Sequence, residues 1–181
     1  MMLADRDILR AIKEQEIKIQ PFARENVGPC SVDLTLDSVF RVYGPGEPVD
    51  VRDDRDLDRD TKIVNTGEKP FMILPGQFIL GQTREQISIS ARYAALLEGR
   101  SSIARLGVIV HSAGLVNPGT GVEKPGNLTL EIYCENLSPV LLYPGMRIVQ
   151  VMFVRLSSDA SVQYDSRQGS RYVGQGEPNI R

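Results

Sequence analysis

The run Glu98-Gly99-Arg100-Ser101-Ser102-Ile103-Ala104-Arg105-Leu106-Gly107 sets two arginines and two hydroxyls within six residues, with glycines on either side. Guanidinium groups and hydroxyls at that density suit an anion rather than a packed core. No helix breaker falls between Ser101 and Leu106, and Gly107 can end the segment, so the spacing predicts a short helix opening at the serines. Free backbone N–H groups at that end, with the hydroxyls and Arg100, would cradle a phosphate. Arg105, four residues after Ser101, shares its face of the turn. A structural turn with one surface ion pair to Glu98 explains the same residues, and the spacing leaves both readings open.

The second candidate is a carboxylate. In Leu128-Thr129-Leu130-Glu131-Ile132-Tyr133-Cys134, a strand period of two puts Leu128, Leu130, Ile132 and Cys134 on one face and Thr129, Glu131 and Tyr133 on the other. Glu131 therefore leaves the apolar face, whereas Glu135, of the same parity, falls at the strand end. His111 is the single histidine, and with Cys30 and Cys134 it makes up the soft ligands. A zinc deaminase needs His-x-Glu and Pro-Cys-x-x-Cys, and a Ser-His-Asp hydrolase of the elbow type needs Gly-x-Ser-x-Gly. None of these motifs is present, so His111 reads as structural.

The elements that must position these residues are mostly strands. Ile8, Leu9 and Ile12 share a face of one opening helix, with Asp5 as its N-cap and a polar turn from Lys13 to Glu16. After Pro21 the alternation is β: Ser31 to Leu36, Val39 to Tyr43, Phe71 to Leu74, Gln77 to Gln82, Ile87 to Ile89 and Tyr93 to Leu97. Val140 to Tyr143 and Ile148 to Leu156, joined at Pro144-Gly145, read as a closing hairpin. The Asp- and Arg-rich run from Asp50 to Asp60 reads as a solvated loop, and no internal repeat is evident. Short strands between Pro/Gly turns predict a mainly β barrel or jelly roll with a short N-terminal helix and a second short helix at Arg100-Ser101-Ser102.

Composition narrows the function classes. At 181 residues with 41% hydrophobic and 24% charged residues, the chain suits one domain, residues 1–181, whose polar, glycine-rich stretch 157–181 reads as a mobile tail. A formal net charge of -2 offers no general attraction for a nucleic-acid backbone, so any phosphate site is local. Two distant cysteines are too few for a disulfide framework, and no apolar run reaches membrane-span length. A cytoplasmic protein with neither nucleic-acid nor membrane partners is expected.

Taken in order, the Glu98 to Gly107 run, Val110-His111, Leu130-Glu131 and Tyr143-Pro144-Gly145-Met146-Arg147 resemble the dCTP deaminase branch of the dUTPase superfamily. Ser31-Val32-Asp33-Leu34 and the tail from Tyr164 to Gln175 extend the resemblance over nearly the whole chain. The resemblance implies distorted jelly-roll subunits in a homotrimer, single or paired into a hexamer, with active sites between subunits. It implies hydrolysis of dCTP to dUTP and ammonia for dUTP and dTTP supply, with Mg2+ carried by the triphosphate, no catalytic zinc, and dTTP as a candidate inhibitor. Glu131 would be the general acid/base, and Ser101 and Arg105 would position it and the water. Arg100 and Ser102 would hold phosphates. Ala113, Asn117 and Thr129 would line the substrate, and Tyr164, Arg171, Tyr172 and Gln175 would close over it from the tail.

One segment departs from the family pattern. Where the family has Asp-Pro-Gly-aromatic-x-Gly, this chain has Asn117-Pro118-Gly119-Thr120-Gly121, and Val122 to Gly126 reads as an insertion. An amide cannot act as a base, so Asn117 favours deamination alone over a bifunctional deaminase and dUTP pyrophosphatase that gives dUMP. A non-catalytic trimeric nucleotide-binding module is the rival from another class.

Overall fold

Alternating apolar and polar residues write strands along most of this chain, and the computed structural model describes residues 1–46, 60–111 and 113–178. The charged run that opens at Asp50 lies outside the described residues up to position 59. Helix α1 (Asp5–Lys13) turns Ile8 and Ala11 into the core, with Leu9 and Ile12 half-buried beside them. Its N-cap is Ala4 rather than Asp5, because the Ala4 carbonyl accepts the first helical bond from Ile8 N at 2.9 Å. Asp5 is already helical, and its N–H donates to the Pro29 carbonyl at 2.9 Å, so that donor needs no side-chain cap. Asp5 and Asp7 occupy the first turn, where the helix dipole favours carboxylates.

The strands in chain order are β1 (Ile17–Gln20), β2 (Val32–Thr35), β3 (Val39–Tyr43), β4 (Thr61–Asn65), β5 (Phe71–Ile73) and β6 (Phe78–Ile89). After β7 (Tyr93–Gly99) and the short helix α2 (Ser101–Ala104) come β8 (Val108–His111), β9 (Leu115–Val116), β10 (Gly126–Cys134), β11 (Val140–Leu142) and β12 (Arg147–Arg155). A six-stranded sheet runs β4-β3-β6-β10-β8, with β1 also paired to β6. A four-stranded sheet runs β2-β12-β7-β9, and β5 pairs with β11. The core between them includes Phe40, Phe153, Ile79, Leu130 and Ile132, all fully buried, and Phe40 stacks on Phe71 with ring centroids 4.5 Å apart. The fold is mainly β, as the turn-punctuated sequence predicts. Cys30 and Cys134 are both free thiols. Among the described residues, no helix is long and apolar enough to cross a membrane.

Two expectations are corrected. Gln77 to Gln82 and Ile87 to Ile89 belong to one strand, β6, whose alternation slips where the β6–β10 register shifts between Asn127 and Thr129. Side chains take up the irregularity: Leu128 N donates to Thr83 Oγ1 at 2.9 Å, Thr83 Oγ1 donates to the Glu85 carbonyl at 2.8 Å, and Asn127 Nδ2 donates to the Thr83 carbonyl at 2.8 Å. A bulge thus interrupts the sequence pattern without ending the strand. The closing hairpin does not form either, because β11 pairs with β5 while β12 lies between β2 and β7. At the Pro144-Gly145 turn, Gly145 N donates to the Leu36 carbonyl at 2.7 Å and Leu36 N donates to the Met146 carbonyl at 2.9 Å. Those bonds carry the chain across to the other sheet.

Glu85 ties the two large sheets together. It is 4% exposed, and its carboxylate accepts from Thr35 N at 2.8 Å and from Thr35 Oγ1 at 2.7 Å. Glu85→Ala strands the Thr35 donors, and the expected cost is about 2 kcal/mol, read as a lower urea midpoint with an unchanged m-value.

Candidate active site

Pairing register gathers one face of the six-stranded sheet into a site. Opposed residues on neighbouring strands share a face, and Glu131 on β10 stands opposite Leu80 on β6, which stands opposite Arg41 on β3. Thr129 faces Gln82, and Tyr133 faces Phe78, whose ring lies 5.5 Å from that of Tyr43. Above this floor is a cavity of about 510 Å³. Its walls come from Ala113 to Asn117, Thr120 and Gly121, from Lys124 and Gly126 to Leu128, and from four tail residues, Tyr164, Tyr172, Gly174 and Gln175.

Glu131 faces this cavity half-buried, and its Oε2 is shielded from solvent with no hydrogen-bond partner among the described residues. Burial raises its carboxyl above the ordinary carboxylate range, against the lowering effects of a backbone hydrogen bond and of His111. His111, read as structural, is exposed on β8 directly opposite Glu131. An under-solvated carboxylate in a cleft exchanges protons nearer neutrality, as an acid/base group requires. Among the described residues, no three His, Cys, Asp or Glu side chains converge to hold a metal ion.

The tail docks on the departing segment. Asp165 accepts from Gly121 N at 3.2 Å and from Glu123 N at 3.0 Å, while Tyr164 N donates to the Pro118 carbonyl at 2.8 Å. Further on, Thr129 Oγ1 bonds Gln175 Oε1 at 3.0 Å, Asn127 N donates to the Gln175 carbonyl at 3.0 Å, and buried Arg41 donates through Nε to the Pro178 carbonyl at 2.7 Å. Asp165 thus joins the tail to the segment around Gly121 and Glu123.

The structure brings together Glu131, Ala113, Asn117, Thr129, Tyr164, Tyr172 and Gln175 around the cavity. Ser101, Ser102 and Arg105 are exposed on or next to α2 and do not line it, and neither does exposed Arg171. The helix forms as the spacing predicts: Arg105 N donates to the Ser101 carbonyl at 3.0 Å, and Gly107, at φ 73°, donates to the Ala104 carbonyl at 2.9 Å. Arg100 pairs with Asp33 at 3.2 Å rather than with Glu98, and Arg147 approaches the same carboxylate at 3.6 Å. Tyr43, Phe78, Leu80 and Lys124 also line the cavity and were not singled out from sequence. Alternation shows that Phe78 and Leu80 share a face, but only register shows that the face is Glu131's.

The fold is mainly β, and Glu131 lines a cavity on the larger sheet. A model of the dCTP deaminase-like family matches residues 2–156, and the chain belongs to that family. A Thermobifida fusca protein named "dCTP deaminase, dUMP-forming" is 39% identical over 181 residues, an alignment covering 98% of this chain and 90% of the relative. A Salinispora arenicola protein of the same name is 40% identical, with 98% and 92% covered. The crystal structure of 2'-deoxycytidine 5'-triphosphate deaminase from Agrobacterium tumefaciens superposes with a TM-score of 0.62 at 25% identity. That match covers 84% of this chain and 47% of the other, so the chain spans about half the length of the Agrobacterium protein.

If Asp165 holds the tail on the insertion, Asp165→Ala frees it. Trypsin is then expected to cut at Arg167 or Arg171 roughly fivefold faster than in wild type, with the thermal midpoint of the body unchanged. Equal cleavage rates would show that the tail is held elsewhere.

Proposed function

We propose that this protein is a bifunctional dCTP deaminase that releases ammonia and pyrophosphate from dCTP and yields dUMP. The relatives' names support this over the dUTP-forming reading, and membership of an enzyme family disfavours a non-catalytic module. The observation that carries the chemistry is Glu131, a half-buried carboxylate that lines the cavity and has one solvent-shielded oxygen without a hydrogen-bond partner among the described residues. In the first hydrolysis it takes a proton from water as oxygen bonds to C4. It delivers that proton to ring N3 and then passes the proton of the new C4 hydroxyl to the amine, so that the C4–N bond breaks, ammonia leaves and dUTP remains. In the second, water attacks the α-phosphorus and pyrophosphate leaves, with Mg2+ arriving on the triphosphate as part of the substrate.

Asn117 is compatible with that second step. Phosphoryl transfer depends mainly on positioning and charge stabilisation, and an amide can orient a water that it cannot deprotonate. Arg100, Ser101, Ser102 and Arg105 lie away from this chain's cavity, so in this reading a second copy supplies them in a cytoplasmic homotrimer with shared sites. Mixing inactive Arg105→Ala and Glu131→Gln subunits then restores activity. No recovery after subunit exchange would count against shared sites.

Product analysis tests the reaction: dCTP with Mg2+ should give ammonia, pyrophosphate and dUMP, whereas accumulating dUTP would sink the second step. Glu131→Gln should lose at least about a hundredfold in deamination. Because the folded carboxyl titrates above its usual 4.5, the acid limb of kcat/KM should lie above that pH. The sign for stability is the reverse of that for a salt-bridged carboxylate. The folded state holds the proton more tightly, so stability falls as pH rises through the folded pKa. Glu131→Gln should therefore match wild type in thermal midpoint below pH 4.5 and exceed it at neutral pH.

A further inference from the structure

Charge is scarce around the cavity. Among the described lining residues, Glu131 is the only carboxylate and Lys124 the only lysine or arginine. Lys124 lies in the segment from Val122 to Gly126, which reads from the sequence as an insertion. No ion pair of Lys124 occurs among the described residues.

An exposed lysine ordinarily leaves its charge in bulk water at the end of a mobile stem. This one is held. Asp165 fixes the backbone on one side through Glu123 N, and the Gln175 carbonyl fixes it on the other through Asn127 N. Gly174, at φ +64°, lies against the aliphatic stem so closely that a Cβ there would stand 2.4 Å from Lys124 Cδ. Only glycine allows the tail to clasp the stem in this way. The cavity floor of Leu80 and Phe78 suits a flat ring, whereas the one cationic side chain among the described lining residues, with its stem held against Gly174, suits a strongly charged oxyanion.

We propose that Lys124 is a substrate-binding residue that contacts the phosphate chain of the nucleotide. The inference rests on the reading of the cavity as a dCTP site. Lys124→Met keeps the aliphatic stem packed on Gly174 and removes the charge, while Lys124→Arg keeps the charge. For Lys124→Met, the KM for dCTP should rise roughly fivefold with kcat little changed, and the rise should shrink with added salt. Lys124→Arg should stay near wild type. Deoxycytidine, which has no phosphate, should bind wild type and Lys124→Met equally, and inorganic tripolyphosphate should bind the Met variant more weakly. Unchanged dCTP and tripolyphosphate binding in Lys124→Met would overturn the inference, as would an equal loss of deoxycytidine binding. Failure of wild type to turn over dCTP would remove the functional reading instead, and tripolyphosphate titration would still decide whether Lys124 binds phosphate.

Discussion

The β6–β10 pairing is the constraint on which the rest of the site depends. It aligns Glu131 with Leu80 and, through β3, with Arg41, while β8 sets His111 on the other side. A slip of one residue would exchange the faces of β10, sending Glu131 into the core and Leu130 or Ile132 out of it. Burying an unpaired charge and exposing fully buried aliphatics are both costly, so core packing enforces the register that chemistry needs. The bulge at Thr83 and Asn127 confines the irregularity to one end of the pair, where side chains satisfy the displaced backbone groups.

Glu131 is a compromise within that arrangement. Its strand neighbours Leu130 and Ile132 are fully buried and stabilise the fold, while Glu131 loses solvation on the opposite face without gaining a partner for Oε2. Such a group opposes folding in its ionised form and is retained where proton exchange is useful. Glu85, on β6, illustrates the alternative. It is buried more completely, yet both its oxygens accept hydrogen bonds from Thr35, and it serves structure alone. Two glutamates on paired strands thus differ in environment: the hydrogen bonds of one are satisfied within the fold, and one oxygen of the other has no partner among the described residues.

The cavity wall opposite the sheet has little regular structure and depends on cross-bonding between distant segments. Asp165, Gln175 and Pro178 reach residues of the insertion, β10 and β3. The segment where the chain departs from its family is also where the tail is fastened. Insertion and tail therefore form one wall, and changes in one are felt by the other.

Much was legible in the chain itself. The alternation around Glu131, the breaker-free run from Ser101 to Leu106 and the left-handed Gly107 are local properties, so residue order alone determined the inward and outward faces of β10 and the short helix α2. The resemblance carried by the Arg-Ser-Ser motif identified the family. Other features were decided by partners distant in sequence. The Asp5 N–H is taken by the Pro29 carbonyl, and β11 pairs with β5 while Leu36 bonds the turn between β11 and β12. That Phe78, Leu80 and Lys124 line the same cavity as Glu131 follows from strand register and tail docking, while α2 does not line that cavity. Local sequence sets the conformation and the face of a residue, because sterics and period act over a few residues. Which faces meet is decided only when the whole chain buries its apolar surface together.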